Sequence, residues 1–282
     1  MIVDTHTHSR FSDGTQSPTE LMEDAVDSGV DVIGLSDHDT TAGWGEALAA
    51  AGDLGVGLLR GVEVSTRYQG VTVHMLCYLH EPAGAELTAV IGHARRAREE
   101  RTRIMVERIA EDYPITWDGL LELAGEHATL GRPHIADALV RIGAVATRSE
   151  AFAGLLGGGS KYHVPLEAID PLEAIGLIHD AGGVAVFAHP LAAARGRVVP
   201  DRAFGELIAA GLDGIEVDHR DNPPAARQRL RRLAGEHGLI ITGSSDYHGA
   251  GKPNRLAEHT TARDMLMRIA EAGRGTDLVL PR

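Results

Sequence analysis

The 282-residue chain has one cysteine, Cys77, so no intrachain disulfide can form, which fits a reducing compartment. No apolar run approaches the roughly 20 residues that cross a bilayer, which argues against a helical membrane span. The first residues, Met1-Ile2-Val3-Asp4-Thr5-His6, hold neither a basic region nor an apolar segment of signal-peptide length, and a cytoplasmic location is expected. Positive charge is scarce: 27 Lys and Arg against 40 Asp and Glu leave a formal net charge of −13. Such a surface repels a long polyanion, so general binding to long nucleic acid is not expected. That argument weakens for phosphate chemistry if the acidic residues hold metal, because bound dications invert the local charge. Repeats and low-complexity tails are also missing.

What is present suits an ordinary globular protein, with 43% hydrophobic and 24% charged residues and enough length to bury a core unaided. Short β-rich runs alternate with helical patterns: Ile2 to Asp4, Val32 to Ser36, Gly57 to Val64, Val71 to Tyr78, Val184 to Ala188, Gly214 to Val217 and Leu239 to Gly243. This alternation points to an α/β fold with mostly parallel strands. Ser17, Pro18 and Glu20 form a capping-box signature for the first helix. Between about residues 92 and 170 the alternation gives way to helical periodicity, which reads as an α-helical insertion. Within it Arg95 to Arg103 mixes both signs and is expected to be a solvated helix face with local ion pairs, as is Arg227 to Arg232.

Potential metal ligands recur at the strand ends. His6 and His8 follow strand one, His38 follows strand two, and Glu63 closes strand three. His74 lies in the next strand, His189 follows Val184 to Ala188, and Asp246 and His248 follow Leu239 to Gly243. A single His-x-His more often reflects packing or surface chance. Even so, residues i and i+2 of a strand share a side, so two imidazoles can reach one ion. Recurrence at strand after strand is harder to attribute to packing, since buried imidazoles and carboxylates are costly unless paired or coordinated. In a βα barrel all C-terminal strand ends meet on one face, where these residues would converge.

In order and spacing, Asp4-Thr5-His6-Thr7-His8 through Asp13-Gly14, Ser36-Asp37-His38-Asp39, Gly61-Val62-Glu63-Val64-Ser65, Ala188-His189-Pro190 and Gly243-Ser244-Ser245-Asp246-Tyr247-His248-Gly249 resemble the polymerase-and-histidinol-phosphatase (PHP) family. The resemblance covers almost the whole chain. It implies a distorted (β/α)7 TIM-like barrel over residues 1–91 and 171–282, with residues 92–170 as an α-helical insertion domain that caps the substrate. It also implies three divalent metal ions, which nitrogen and oxygen donors allow to be manganese, iron or zinc. One would be held by His6, His8, Glu63 and Asp246, a second by Glu63, His74 and His189, and a third by Asp13, His38 and His248. Asp13, His38, Glu63 and His248 are the expected catalytic set.

Gly131-Arg132-Pro133-His134 and Gly157-Gly158-Gly159-Ser160-Lys161 look like the branch of the family that hydrolyses nucleotide phosphates. The resemblance makes Arg132, His134 and Lys161 substrate contacts. Arg195 and Arg197 follow His189-Pro190 in a loop that should border the site; Arg195 is a candidate phosphate contact, with surface charge as the alternative. The glycine-rich stretch is not a P-loop, because Ser160 precedes Lys161 and no strand leads into it. Asp218 to Asn222 departs from the branch, and His219 is expected to face solvent.

The expected activity is metal-dependent hydrolysis of phosphate monoesters of nucleotides: 3',5'-bisphosphate nucleosides, AMP or short 5'-phosphorylated oligonucleotides. Clustered metals would create a hydroxide nucleophile and neutralise charge. Histidinol-phosphate phosphatase and DNA exonuclease are alternatives within the family. An amidohydrolase would explain His-x-His, but often needs a bridging Lys where Glu63 stands, and leaves Asp13, His38 and His248 without a role. A non-catalytic metal-binding module would tolerate losing ligands, and every position here is filled.

Overall fold

In the computed structural model, which describes residues 1–125 and 128–282, seven strands form one sheet in chain order. They are β1 (Val3–Thr7), β2 (Val32–Leu35), β3 (Gly57–Tyr68), β4 (Val71–Tyr78), β5 (Val184–Phe187), β6 (Gly214–Asp218) and β7 (Ile240–Gly243). Because chain order is sheet order, the sheet can curl until its edges meet. His8 N donates to Tyr247 O at 2.9 Å, joining the chain after β1 to the chain after β7, and Thr7 pairs with Tyr247 in a parallel bridge. The result is a nearly closed seven-stranded barrel within an α/β fold.

Four strand pairs are parallel, but β4 runs antiparallel to both β3 and β5. The reversal starts at Gln69 and Gly70, with φ of 45° and 85°. Two successive residues at positive φ make the tight turn that matches the twist of a hairpin. One connection therefore carries no helix, and the barrel is distorted at this point. The hairpin also extends β3 to Tyr68, five residues beyond Glu63, which sequence reading places at the strand's end.

Helices α1 (Pro18–Asp27), α2 (Trp44–Leu54), α7 (Pro171–Asp180), α8 (Asp201–Ala209), α9 (Pro224–His237) and α10 (Arg263–Ala272) accompany the barrel. The capping box of α1 is formed on both sides: Glu20 N donates to Ser17 Oγ at 3.1 Å and Ser17 N to Glu20 Oε2 at 2.7 Å. Leu21, Met22, Ala25, Trp44 and Ala47 of α1 and α2 pack on Ile33, Leu35 and Leu58. Each fully buried leucine or methionine stabilises the fold by about 1.5–3 kcal/mol.

Between β4 and α7 lie α3 (Ala85–Ala110), α4 (Trp117–Ala124), α5 (Arg132–Arg141) and α6 (Arg148–Ala153). The first turns of α3 place Leu87 and Ile91 in the barrel cluster. Its last turns place Met105, Val106 and Ile109 in a separate cluster with Leu120, Ile135, Leu139 and Leu156. The expected solvated face of α3 is corrected here: Arg98 and Arg101 are only 7% and 9% exposed, whereas Arg103 pairs with Glu107 on the surface. On α9, Arg229 and Arg231 pair with exposed Asp201 and half-buried Asp218, as a solvated face does. Among the described residues no helix is long and apolar enough to cross a membrane.

Close approach of β1 and β2 depends on Gly34. A Cβ at this position would lie 2.1 Å from Thr5 O and 2.4 Å from Thr5 C, both backbone atoms that cannot rotate away. Gly34→Ala is expected to destabilise the chain by about 2–3 kcal/mol and lower its melting temperature by about 5–10 °C. A thermal melt of the variant showing no shift would contradict this account of the β1–β2 contact.

Candidate metal centre

The barrel brings nine nitrogen- or oxygen-bearing residues to one mouth. β1 supplies His6, and the chain just beyond it His8 and Asp13. His38 follows β2, His189 follows β5, and Asp246 and His248 follow β7. Glu63 comes from within β3, and the parallel bridge between His38 and Glu63 sets its depth. His74 reaches the mouth from mid-strand because β4 is reversed and pairs His74 with Ser65.

Three sets of donor atoms emerge. His6 Nε2 and His8 Nε2 are 3.0 Å apart, and each lies 3.2 Å from Glu63 Oε2. Asp246 Oδ1 is 3.7 Å from the first and 3.3 Å from the second. Ligands about 2.1 Å from a tetrahedral ion stand about 3.4 Å from one another, so these separations suit one shared ion. On the other oxygen of Glu63, His74 Nδ1 and His189 Nε2 lie at 2.8 Å and 3.2 Å. Asp13 Oδ1 is 3.1 Å from His248 Nε2, and Asp13 Oδ2 is 3.8 Å from His38 Nε2. His38 faces both ways, with Nδ1 3.1 Å from Glu63 Oε2. The groups able to hold an ion accordingly share members: His6, His8 and Glu63; His38, Glu63 and His74; and His8, Asp13, His38 and His248.

His38 Nδ1, His74 Nδ1 and His248 Nε2 are buried and make no hydrogen bond, although a carboxylate oxygen lies within 3.1 Å of each. The nitrogens approach those oxygens out of line for hydrogen bonding. A cation shared by both would satisfy them, and this donor set fits divalent metal.

The electrostatics agree. Burial would raise the Glu63 carboxyl, but His38, His74 and His6 together hold it well below the usual range. Burial likewise opposes ionisation of Asp246, and Lys252, Arg195 and His248 outweigh it. His189 and His248 are pushed down to about 3 and about 4, chiefly by burial, and so are neutral at neutral pH, the form in which an imidazole can bind metal. His6 and His8 are the opposite case, because neighbouring carboxylates overcome burial and raise them, His8 to about 9. Metal loading must displace those protons, so it releases acid.

A second layer of carboxylates, absent from the sequence-derived site, positions the first. Glu216 on β6 is fully buried. Its Oε1 lies 3.0 Å from His6 Nδ1, its Oε2 accepts from His189 N at 2.8 Å, and Ser244 Oγ donates to it. Asp37 accepts from Ser9 N at 2.8 Å and Ser12 Oγ at 2.5 Å, fixing the loop that carries Asp13. Asp39 accepts from Ser65 N at 2.8 Å and Arg98 Nε at 3.0 Å. Asp4 holds Ser245 N at 3.0 Å, next to Asp246. Asp39, His189 and Asp246 adopt φ of 51°, 30° and 52°, a left-handed conformation held by these surroundings.

The expected substrate contacts divide. Arg148 ties α6 to the centre, with Nη1 on Asp13 O at 3.2 Å and Asp137 held on both sides. Thr129 N bonds Phe11 O at 2.9 Å, so the chain leading into α5 lies beside Asp13. His134 is buried there, and its Nδ1 accepts from Gly131 N at 3.1 Å, leaving Nε2 as the proton-bearing donor. Arg132 sits over the Phe152 ring at 5.1 Å. Arg195 reaches the centre, with Nη2 2.5 Å from Asp246 Oδ2 and Nε 2.6 Å from Asp221. Lys161 is exposed and bonded to Asp112 at 2.7 Å, a partner outside the cluster. His219, expected in solvent, is fully buried, with Nε2 3.6 Å from Asp246 Oδ2. Lys252 Nζ, also missed in the sequence, is 3.0 Å from the same oxygen.

Comparison with known proteins agrees with this geometry. Residues 4–148 match the PHP domain. The chain is 37% identical to a 5'-3' exoribonuclease of Haemophilus influenzae, over 87% of this chain and 89% of that protein. It is 35% identical to a 3',5'-nucleoside bisphosphate phosphatase of Chromobacterium violaceum, over 92% and 91%. A solved structure from Bifidobacterium adolescentis, of a protein proposed to be a metal-dependent phosphoesterase, superposes with a TM-score of 0.94 at 44% identity, covering 96% of each chain.

Glu216 offers a direct check of the second layer. A carboxylate on the outer nitrogen of a metal-bound imidazole fixes its tautomer and raises its basicity. Glu216→Gln is expected to weaken metal affinity about 10–100-fold in a competition titration against a chelator. Unaltered affinity would show that His6 needs no such support.

Proposed function

This chain belongs to the PHP family and is a metal-dependent phosphoesterase, and from that premise we propose that it hydrolyses phosphate monoesters of nucleotides. The proposed substrates are 3',5'-bisphosphate nucleosides, AMP and short 5'-phosphorylated oligonucleotides. The observation that carries this reading is Arg148 of α6, which donates to Asp13 O and also grips Asp137 of α5, and so holds both helices, with the buried His134, against the donor cluster. Two relatives with nucleotide or RNA activities in their names support it.

In this reading three divalent ions, manganese, iron or zinc, are held by His6, His8, Glu63 and Asp246; by Glu63, His74 and His189; and by Asp13, His38 and His248. Ions so held supply Lewis acidity and a water of lowered pKa. Unaided monoester hydrolysis is among the slowest known reactions, and enzymes accelerate it by up to ~10²¹-fold. The chain's own contribution is placement. Glu63 presents one oxygen to each of two donor sets, and Arg195 and Lys252 hold the outer oxygen of Asp246 while its inner oxygen faces His8.

Arg132, His134 and Arg195 are the proposed phosphate contacts. The guanidinium of Arg132 offers a planar fork to phosphoryl oxygens, and His134 Nε2 donates from a ring that burial keeps neutral. Residues 92–170 are proposed as the cap that covers the substrate over a barrel of residues 1–91 and 171–282. The lone buried Cys77 suits a reducing compartment, and we place the enzyme in the cytoplasm on that ground.

Phosphate release should be followed with adenosine 3',5'-bisphosphate, AMP, histidinol phosphate and a 5'-phosphorylated short RNA. Metal-stripped protein is expected to be inert and manganese to restore nucleotide turnover. His8→Ala should lose at least about 100-fold in kcat/KM, and Arg132→Met should raise KM for nucleotides about tenfold. Turnover of histidinol phosphate alone would refute the nucleotide assignment.

A further inference from the structure

The three carboxylates of the donor cluster differ in what stands behind them. Asp13 meets His8, His38 and His248, and Glu63 meets His6, His8, His38, His74 and His189. Among the described residues neither pairs with a lysine or an arginine. Asp246 pairs with one of each. Its Oδ1 faces His6, His8 and His248 at 3.3–3.7 Å, whereas its Oδ2 accepts from Arg195 Nη2 at 2.5 Å and from Lys252 Nζ at 3.0 Å. His219 Nε2 lies 3.6 Å from the same outer oxygen. The Nδ1 of that ring accepts from Asp221 N at 3.0 Å, so its proton is on Nε2.

Both cations are fixed from behind. The loop between β7 and α10 that carries Lys252 is tied to the residue it serves: buried Asn254 donates from Nδ2 to Ser245 O at 2.6 Å and to Asp246 O at 3.2 Å. Asp246 is the sole ion-pair partner of Lys252 among the described residues. Arg195 is held from the loop between β6 and α9, where Asp221 accepts from its Nε at 2.6 Å. Fully buried Asn222 braces that loop, donating to Glu216 O at 3.0 Å and accepting from Leu191 N at 3.1 Å. The stretch from Asp218 to Asn222, which departs from the nucleotide-hydrolysing branch, thus supplies His219 and Asp221 to the outer side of Asp246. A carboxylate whose outer oxygen carries two cations presents less negative charge from its inner one. An ion on the inner oxygen is then held less tightly, and less of its own charge is quenched, so it polarises what it binds more strongly. Glu216 acts in the opposite sense on His6, whose basicity it raises.

We propose that Lys252 and Arg195 are positioning residues that draw charge off Asp246, so that an ion held by His6, His8, Glu63 and Asp246 loses affinity for the chain and gains Lewis acidity toward the substrate phosphate. This inference rests on the three-ion reading above and adds to it; the choice of nucleotide does not enter. It gives a reason why Asp246 alone of the three carboxylates is backed by permanent cations.

The test loads wild type, Lys252→Met, Lys252→Arg and Arg195→Met with manganese and follows the metal retained per chain against rising chelator concentration. Saturating kcat is measured in parallel on the phosphate ester that wild type turns over fastest. In both Met variants the release of one ion per chain is expected to move to about tenfold stronger chelation, and Lys252→Met is expected to lower kcat about tenfold. Lys252→Arg keeps the charge and should stay close to wild type in both measurements. Side chains that merely brace Asp246 would give the reverse, with earlier metal loss in the Met variants. That result, or an unchanged release curve in both, overturns the proposal and leaves the three-ion reading standing. Tighter retention with an undiminished kcat in Lys252→Met also overturns it, because the charge drawn off Asp246 would then serve no reaction. Wild type that retains no manganese overturns the three-ion reading and this proposal with it.

Discussion

Three buried carboxylates, Asp13, Glu63 and Asp246, share one barrel mouth with six imidazoles, and the rest of the structure is arranged around that concentration of electron-pair donors. Imidazole nitrogens stand about 3 Å from carboxylate oxygens without hydrogen-bond geometry. Such an arrangement is costly in a folded chain with nothing between the donors. Divalent metal removes the cost, because each donor then faces a cation in place of another lone pair. The net charge of −13 is thus a poor guide to this protein's ligands, since part of it sits on carboxylates that divalent metal would offset.

Holding the donors in place is the work of the barrel and of a buried polar layer beneath it. Parallel strands deliver most ligands at their C-terminal ends. The single hairpin, made by Gln69 and Gly70, delivers His74 from the middle of β4. Beneath the ligands Asp4, Asp37, Asp39 and Glu216 fix loops and imidazole tautomers by accepting backbone and side-chain hydrogen bonds. Three residues at the mouth keep positive φ despite carrying side chains, a local strain that this layer and the surrounding packing offset.

Much of this was legible in the sequence, for identifiable reasons. The capping box at Ser17 and Glu20 is local chemistry, and alternating apolar runs follow the period of a half-buried or buried strand. The donors were legible because histidine and carboxylate recur at strand ends, where burial without coordination is unfavourable. What escaped depends on tertiary neighbours. The reversal of β4 rests on a glutamine at positive φ, which composition does not announce. Glu216 is one carboxylate in a short strand, and only its position behind His6 gives it meaning. His219 reads as a solvent-facing histidine until the fold buries it against Asp246. Arg98 and Arg101 alternate with glutamates along α3 and look solvated, and their burial appears only when the helix packs between barrel and loop.

The helical layer is tied to the centre: Arg148 reaches Asp13, and Arg98 reaches Asp39. Substrate placed by the layer would therefore be placed relative to the donors. The central claim concerns the donors themselves, namely that nine residues hold three ions. X-ray diffraction from manganese-grown crystals, recorded on both sides of the manganese absorption edge, tests it most directly. Three anomalous peaks are predicted: one among His6, His8, Glu63 and Asp246, one among Glu63, His74 and His189, and one among Asp13, His38 and His248. Fewer than three peaks at full metal saturation, or peaks away from these residues, would contradict the claim.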